Sequence, residues 1–460
     1  MAFMPSLARK AQIYVVPETA FGAIADAAGS AAICHTGGSF RFWTDRTDRD
    51  DYSALRGVRE RINKRKYAQW KIQGYLIPSG QPGVACDWDP LLFSLLPNRT
   101  LTQSADVQTS PSPTAARCSI SPADAVSQND SVGFVIGNTL YVRHVTQNEE
   151  GAIEWTPPLP VPPTAGSQMY ATVNYRPGIE GGSPLSIHRY LDAEAEIYRG
   201  AVPSSMTIDL SGGDEALINI AGSAKDRVFQ GTNAISADCD DEQTEIAVYN
   251  VDLFGPGSVV ICGAEKMKVV SVNAEDHKIT VTRGYAGSND ASHDKDDPLE
   301  PFRPSPQISG SPIAGVNGFI YVAGNLYRIT AAKLDLNENV QMINDEFGTD
   351  SAQGFCRPDR RKVNLELTGH LFRPSPADSS ICSASLIGPS AEQRRVSVFL
   401  QAGYSPGRSF ALYIPCWEPE VPELPEEDAR KSKALGEVNL TIAGPCLEQS
   451  GNDEVFFHFA

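Results

Sequence analysis

Apolar and polar residues alternate with a period of two at the centre of this chain. Apolar side chains recur at every second position over 206–211 and again over 216–221, and a Gly-Gly-Asp turn lies between the two runs. This pattern predicts a long β-hairpin with one apolar face and one polar, partly acidic face. Because a lone hairpin is barely stable in water, we expect it to belong to a larger sheet.

Short apolar runs bounded by turn residues recur along the rest of the chain and predict further strands. They cover 13–16, 40–43, 66–78, 132–136, 139–145, 187–190, 259–262, 266–272, 278–282, 319–322, 325–330, 332–337, 396–401, 409–415, 437–443 and 454–459. Helical patterns are rare. We expect one short helix over 87–96, with Asp89 at its N-cap and Pro90 in its first turn, and another over 377–387. The fold class is therefore predicted to be all-β, with one or two short helices.

A weak internal repeat links the strand at 66–78 to the later strand that contains Gly369. Aligning Gly74 with Gly369 places Trp70 and Ile72 on leucines, and each strand follows a basic loop that is itself preceded by a short strand. The repeat predicts two similar halves of one β-sandwich.

Two stretches interrupt this plan and predict inserted β modules. Module 1 covers 112–176 between Ser/Pro-rich and Pro-rich segments, and module 2 covers 233–312. The core would then consist of 1–111, 177–232 and 313–460. Module 2 opens with an acidic run, but this run lacks the glycine of a calcium-binding EF-hand loop, so no calcium site is expected.

Composition narrows the function classes. The 460 residues include 39 Lys and Arg against 56 Asp and Glu, a net charge of −17. Such a chain is poorly suited to gripping nucleic acid, because phosphate binding needs clustered cations. No run approaches the roughly 20 apolar residues that span a bilayer, and the N-terminus lacks the apolar core of a signal peptide. We therefore expect no membrane span and folding in a cytosol.

Candidate chemistry is sparse. The nine cysteines are scattered without a C-x-x-C pair, which predicts free and mostly buried thiols. His277 and His293 are expected to be surface residues rather than metal ligands. No nucleophile elbow, Walker loop, zincin motif or dinucleotide fingerprint occurs. We therefore expect a protein that is not an enzyme, with no catalytic residues, no cofactor and no metal.

The stretch 186–222 has a recognisable order of features. It reads S-I-x-R-Y-L-D, acidic residues, Y-R-G-A-V, the alternating hairpin and I-x-G. In this order it resembles the tail tube proteins of long-tailed bacteriophages. Module 2 is similar to a small β module that recurs in phage tail proteins, and module 1 is a fainter match to it. The residues that carry the second resemblance are Gly263, Glu265, Met267, Val269, Val272, Arg283, Gly284, Gly287 and His293.

The resemblance implies a structural virion protein whose hexameric rings stack into a tail tube, with the central hairpins lining the channel. DNA would pass through this lumen without specific binding, and an acidic lumen would repel its phosphates. The implied partners are further copies of the chain and the tail terminator, tape-measure and tail-tip proteins. The tail would assemble in the cytoplasm of the bacterial host, with the inserted modules on the outside of the tube.

Two groups of residues are candidates for these roles. The candidates for the lumen are Asp209, Asp214 and Glu215. A basic loop and an acidic arm are candidates for complementary contacts between subunits. These contact candidates are Arg56, Arg59, Arg61, Lys64 and Arg65 in the loop, and Glu418, Glu420, Glu426, Glu427 and Asp428 in the arm.

Two alternatives remain open. The chain is long for a tail tube subunit, so a tail-tip or baseplate protein with the same core is one of them. The other is a carbohydrate-binding β protein of the tail, for which Trp155, Tyr249 and Tyr285 are the candidate aromatic contacts.

Overall fold

The computed structural model describes residues 11–49, 60–192, 194–370, 394–421 and 439–460. Strands dominate these ranges, and they contain a single α-helix, α1 (Asp89–Leu95). The predicted all-β class is confirmed. The second predicted helix, 377–387, lies outside the described residues. Nowhere in the described ranges is a helix long and apolar enough to cross a membrane.

The strands are numbered in chain order. The first twelve are β1 (Gln12–Pro17), β2 (Ala32–Ile33), β3 (Gly37–Thr47), β4 (Ile62–Tyr75), β5 (Asn98–Leu101), β6 (Ala105–Val107), β7 (Arg117–Ser121), β8 (Ser131–Ile136), β9 (Thr139–Glu149), β10 (Ala152–Thr156), β11 (Gln168–Tyr170) and β12 (Val173–Arg176). The next ten are β13 (Leu185–Leu191), β14 (Glu194–Ser211), β15 (Leu217–Ala224), β16 (Asp226–Gly231), β17 (Asn233–Ala234), β18 (Glu245–Ala247), β19 (Val259–Cys262), β20 (Glu265–Asn273), β21 (Lys278–Thr282) and β22 (Pro298–Pro301). The last ten are β23 (Phe319–Val322), β24 (Asn325–Tyr327), β25 (Ala331–Asn337), β26 (Gln341–Ile343), β27 (Gly354–Cys356), β28 (Lys362–His370), β29 (Val396–Ser405), β30 (Arg408–Trp417), β31 (Asn439–Pro445) and β32 (Phe456–Phe459).

The long strand β14 organises the sheet pairing. Its first half pairs with β13 and β16, and its second half pairs with β15 and β25. The register shifts between Pro203 and Ser205. Proline cannot donate a ladder hydrogen bond, so it is tolerated at such a bulge, and the bulge lets one strand change partners. The predicted hairpin is confirmed as β14 and β15.

Two packed sheets form a sandwich. The first, here called the hairpin sheet, has the strand order β3-β4-β15-β14-β25-β28-β31, and the second, the cover sheet, has the order β24-β23-β29-β30-β32-β12-β5. Alternate side chains of both sheets and the apolar side of α1 enter one buried cluster. Representative members are Trp70, Ile72, Leu92, Ile208, Ile218, Leu334, Leu365, Leu400, Phe410, Ile442 and Phe457.

The helix differs from its prediction in one detail. Asp89 is the first helical residue, and Trp88 occupies the N-cap position without a side-chain cap. The carboxylate of Asp89 instead accepts hydrogen bonds from the Tyr175 hydroxyl at 2.7 Å and from Arg99 at 2.5 Å. Asp89 therefore joins the helix to β12 and β5.

The two repeat strands, β4 and β28, lie in the same sheet. Three strands, β15, β14 and β25, separate them in the hairpin sheet. Trp70, Ile72, Leu365 and Leu367 all point into the common core, as the alignment predicts. The similar segments are therefore the two flanks of one layer of the sandwich.

Two further units have buried clusters of their own. Strands β6 to β11 close into a barrel with the order β10-β7-β6-β11-β8-β9. Strands β17 to β22 form a six-stranded sheet with the order β17-β22-β19-β20-β21-β18, here called the six-stranded module. The barrel cluster includes Val107, Phe134, Trp155 and Met169, and the module cluster includes Ile246, Val260, Met267 and Ile279.

The cysteines are distributed as predicted. The eight that the structure describes are all free, and six of them are buried. Cys382 lies outside the described residues.

Candidate functional site

The hairpin sheet presents one open face. Met206, Ile208 and Leu210 turn inward from β14, while Thr207 and Asp209 alternate with them and are half-buried on the other side. Strands β15, β25 and β28 alternate in the same way. The result is a mostly polar surface, built by period-two alternation in strands that lie far apart in the sequence. We call it the polar face.

Asp209 lies on this polar face between two neighbouring strands. Its register partners are Leu217 on β15 and Lys333 on β25. Partial burial raises the pKa of Asp209, and the nearby carboxylate of Glu366 raises it further, whereas Lys333 acts in the opposite direction. The carboxylate of Asp209 is therefore influenced by neighbouring charges of both signs.

The polar face carries charges of both signs, and one of its cations is held in an ion pair. The Lys333 ammonium lies 2.7 Å from the Asp335 carboxylate, which also accepts a hydrogen bond from the Thr207 hydroxyl at 2.7 Å. In register, Lys333 lies opposite both Asp209 and Glu366. Alternating positions of this face carry the cations Arg41, Lys71, Lys333 and Lys362 and the carboxylates Asp209, Asp335 and Glu366. Carboxylates are therefore not in excess among these charged positions of the polar face.

Asp214 and Glu215 lie at the tip of the hairpin and are both exposed. The tip is held in place by the segment that leads to β23. The Ala216 N–H donates to the carbonyl of Ile313 at 2.8 Å, and Glu215 forms an isolated bridge with Ala314. The acidic character predicted for the hairpin is thus concentrated at one end of the sheet.

The two edges of the hairpin sheet differ. Among the described residues, β3 pairs only with β4, so its other side presents free backbone N–H and C=O groups. At the other edge, the backbone N–H groups of Glu418 and Glu420 donate to the carbonyls of Pro445 and Ala443. These two hydrogen bonds cover the edge of β31 along its second half only.

The contact candidates of the acidic arm are partly used within the chain. The carboxylate of Glu418 lies 3.2 Å from Arg395, and Glu420 is exposed. Glu426, Glu427 and Asp428 lie outside the described residues.

Of the contact candidates in the basic loop, some bind within the chain, one is exposed, and two lie outside the described residues. Arg61 pairs with Asp48 at 2.7 Å on the surface, and Lys64 is exposed. Arg65 donates to the carbonyl of Glu346 at 3.1 Å. Arg56 and Arg59 lie outside the described residues. The register of β4 on β15 places this loop at the opposite end of the sheet from the hairpin tip.

A protruding turn also lies at the basic end of the sheet. Strands β26 and β27 form a small ribbon, and Phe347 at its turn is fully exposed. Gly348 follows with a φ of +87°, and a side-chain carbon placed there would meet no atom within 4 Å. Asp345 and Glu346 make the turn acidic. No pattern in the sequence marks this turn as a contact.

A cavity lies at the end of the sheet that carries the hairpin tip. It has a volume of about 530 Å³, and Leu210, Phe319, Leu326 and Ile329 are among the residues that line it. Exposed Arg328 lies at its wall. The apolar lining and the cation make this cavity chemically complementary to the turn that carries Phe347.

Four of the residues that carry the resemblance, Glu265, Arg283, Gly284 and His293, meet in a buried ionic network. Arg283 donates two hydrogen bonds to Glu265, at 2.7 and 2.8 Å, and His293 Nε2 lies 2.8 Å from the same carboxylate. Burial opposes the ionisation of Glu265, but the bonds from Arg283, Gly284 and His293 lower its pKa to about 2. The prediction that His293 lies on the surface is wrong, whereas His277 is exposed.

No protein-family model matches this chain, and no curated protein is significantly similar to it in sequence.

Proposed function

We propose that this protein is a structural subunit of a bacteriophage tail tube, forming hexameric rings that stack around a channel for genome delivery. The observation that carries the proposal is the hairpin sheet. It has one face in the core, one open polar face and, among the residues that the structure describes, an edge at β3 without a second partner strand.

Edge-to-edge pairing of six copies would explain this arrangement. A sheet edge with free backbone groups tends to pair with another chain, and closure into a barrel removes every edge. In such a ring the polar face would line the channel. The described strand edges available for pairing are β3 and the first half of β31.

The mixture of cations and carboxylates on the polar face would limit the binding of phosphates. A protein binds phosphates through clusters of unpaired cations. Here Lys333 is held by Asp335, and Asp209 and Glu366 flank it in register. A channel lined by neighbouring charges of both signs would offer phosphates little net attraction, and we propose this in place of the repulsion by an acidic lumen that the sequence suggested.

The two ends of the sheet differ in a way that favours stacking. One end presents Phe347 in an acidic turn together with the basic loop. The other presents the cavity beside Arg328 and the acidic hairpin tip. A contact between two unlike ends of identical subunits repeats without limit along an axis. We propose that Phe347 of one ring docks into this cavity of the next.

Negative-stain electron microscopy of the purified protein over a concentration series tests the proposal. We expect rings, and tubes of uniform width at higher concentration. Since tube growth can require a nucleus, the series should be repeated with the tail-tip complex. Single particles that never form rings or tubes under either condition would contradict the proposal and favour the tail-tip alternative.

Phe347→Asp separates stacking from ring formation. The change places a charge opposite an apolar cavity, so we expect rings but few or no tubes, as counted in micrographs. Val270→Asp on the six-stranded module is the matched control, because Val270 is also an exposed apolar residue. Tubes of normal length from Phe347→Asp would show that this contact does not drive stacking.

A further inference from the structure

The six-stranded module contains a second cluster beside the ionic network. One ligand atom from each of Cys262, His293 and Asp297 lies within 4.8 Å of the other two. Cys262 and His293 are buried, and Asp297 is partly exposed. We propose that these three residues bind a Zn²⁺ ion, with water as the fourth ligand. This inference does not depend on the proposed tail function.

The orientation of His293 suits a metal ligand. Its Nε2 lies 2.8 Å from the Glu265 carboxylate, while its Nδ1 faces Asp297 at 3.9 Å. With Nε2 donating its proton to Glu265, the neutral ring has its lone pair on Nδ1. A histidine that binds a metal usually donates its other N–H to a carboxylate in this way, which fixes both the tautomer and the ring orientation.

The surrounding backbone holds the donors in place. Cys262 and Glu265 are register partners at the turn between β19 and β20. The backbone N–H and C=O of His293 both bond to Cys239, at 2.9 and 3.0 Å. The Asp297 carboxylate accepts the N–H of Asp294 at 3.1 Å. Little rearrangement is therefore required before a metal binds.

The donor set selects the metal. Thiolate, imidazole and carboxylate together suit zinc, whereas calcium and magnesium prefer sites made only of oxygen. Zinc–ligand bonds of about 2.0–2.3 Å place tetrahedral donors roughly 3.5 Å apart. The 3.9 Å between His293 and Asp297 is close to this spacing. The ion would join the β19–β20 turn to the segment that leads into β22.

Cobalt substitution tests the site directly, because a cobalt–thiolate bond has its own charge-transfer absorption. Protein stripped with a chelator is titrated with CoCl2. We expect one cobalt per chain, a thiolate-to-cobalt band, tetrahedral visible bands, and loss of all of them on addition of ZnCl2. Absence of the thiolate band in the wild-type protein would overturn the proposal.

Two serine variants locate the thiolate. Cys262→Ser should lose the charge-transfer band, whereas Cys239→Ser should keep it, since Cys239 is a buried neighbour outside the donor set. A band that survives Cys262→Ser, in protein whose circular dichroism matches the wild type, would also overturn the proposal. If Cys262→Ser does not fold, Asp297→Asn decides the question, because Asp297 is partly exposed. It should weaken cobalt binding by roughly tenfold or more, and unchanged binding would contradict the site.

Discussion

The barrel and the six-stranded module are joined to the sandwich in different ways. Both are continuous in sequence, and both begin and end on paired strands, β6 with β11 and β17 with β22. What differs is the surface that each shares with the sandwich.

The barrel shares a buried cluster with the cover sheet. The cluster combines barrel residues with residues of β29 and β30 and the C-terminus, namely Leu140, Val142, Phe399, Ala411 and Ala460. Buried Gln401 accepts from the N–H of Val142 and donates to the carbonyl of Leu140, both at 2.8 Å. The junction is therefore an interior with satisfied polar groups.

Polar contacts link the rim of the six-stranded module to the rest of the chain. Lys268 lies 3.1 Å from Asp26, and Gln230 donates to the carbonyl of Val259 at 2.9 Å. Its buried cluster consists of its own residues only. A cavity of about 250 Å³ remains between the two units. We therefore infer that the sandwich depends on the barrel for its stability, whereas the six-stranded module folds around its own core and contributes little to the sandwich.

Matched deletions should give the largest effect. Joining Asn233 to Leu299 through a short Gly/Ser linker removes the module, and joining Ala105 to Met169 removes the barrel; both pairs are register partners. Without the module we expect a folded sandwich, since the half-buried ion pair of Lys268 and Asp26 and the hydrogen bond from Gln230 each contribute only about 1 kcal/mol. Without the barrel, exposure of Phe399 and its neighbours should remove most of the roughly 5–15 kcal/mol that stabilises a typical domain.

Circular dichroism and thermal unfolding measure both deletion variants. A barrel deletion that unfolds cooperatively near the transition of the full chain would show that the shared cluster is dispensable. A module deletion that fails to fold would show that the sandwich depends on the six-stranded module as well.

Substitution of two buried arginines, one in the six-stranded module and one at the barrel junction, should give smaller changes in stability than the deletions. Arg283→Met leaves Glu265 buried without its cation, so it should destabilise the module by about 3–5 kcal/mol. Arg143 at the barrel junction is also buried, but it is surrounded by aromatic rings and pairs with no carboxylate among the described residues. Arg143→Met should therefore change stability by less than about 1.5 kcal/mol. Urea unfolding of both variants checks the difference, and equal losses would contradict it.

The hairpin and many strands could be predicted because their signal is local. Alternation in β14 and β15 needs only neighbouring residues to be visible. Closure of the barrel has no such signal, because it depends on pairings such as β10 with β7 across about 35 residues. The network of Glu265, Arg283 and His293 also joins distant residues. The resemblance marked these residues, but their spacing did not indicate that they meet.

The charge of the polar face illustrates the same limit. The hairpin alone shows Asp209 and the acidic tip, so it predicts an acidic surface. Lys333 enters beside Asp209 from β25, and Lys71 lies on β4, beyond β15. A strand's sequence shows which side chains share its face, but it does not show which strands lie beside it.

Lowering the pH should have a small and different effect on the barrel junction and on the six-stranded module. His458 lies buried at the barrel junction, 3.3 Å from His144, and burial lowers its pKa from the ordinary 6.5 to about 3. A group with a lowered pKa in the folded state stabilises the fold above its unfolded pKa, and this contribution is lost as the pH falls from 6.5 towards 3. The contribution of Glu265 to the module, by the same rule, is lost only between its ordinary pKa of 4.5 and about 2.

Between pH 6.5 and 4.5, therefore, these two groups weaken the barrel junction and leave the module network intact. We expect the unfolding temperature of the sandwich to fall by a few degrees from pH 7 to pH 5, and to fall less in His458→Gln, which has no proton to take up there. Hydrogen exchange at both pH values shows which part of the protein loses stability. Amides of β9 and β32 should lose protection at pH 5, while those of β20 and β21 keep it. If His458→Gln showed the same pH dependence as the wild-type chain, His458 would not be its cause.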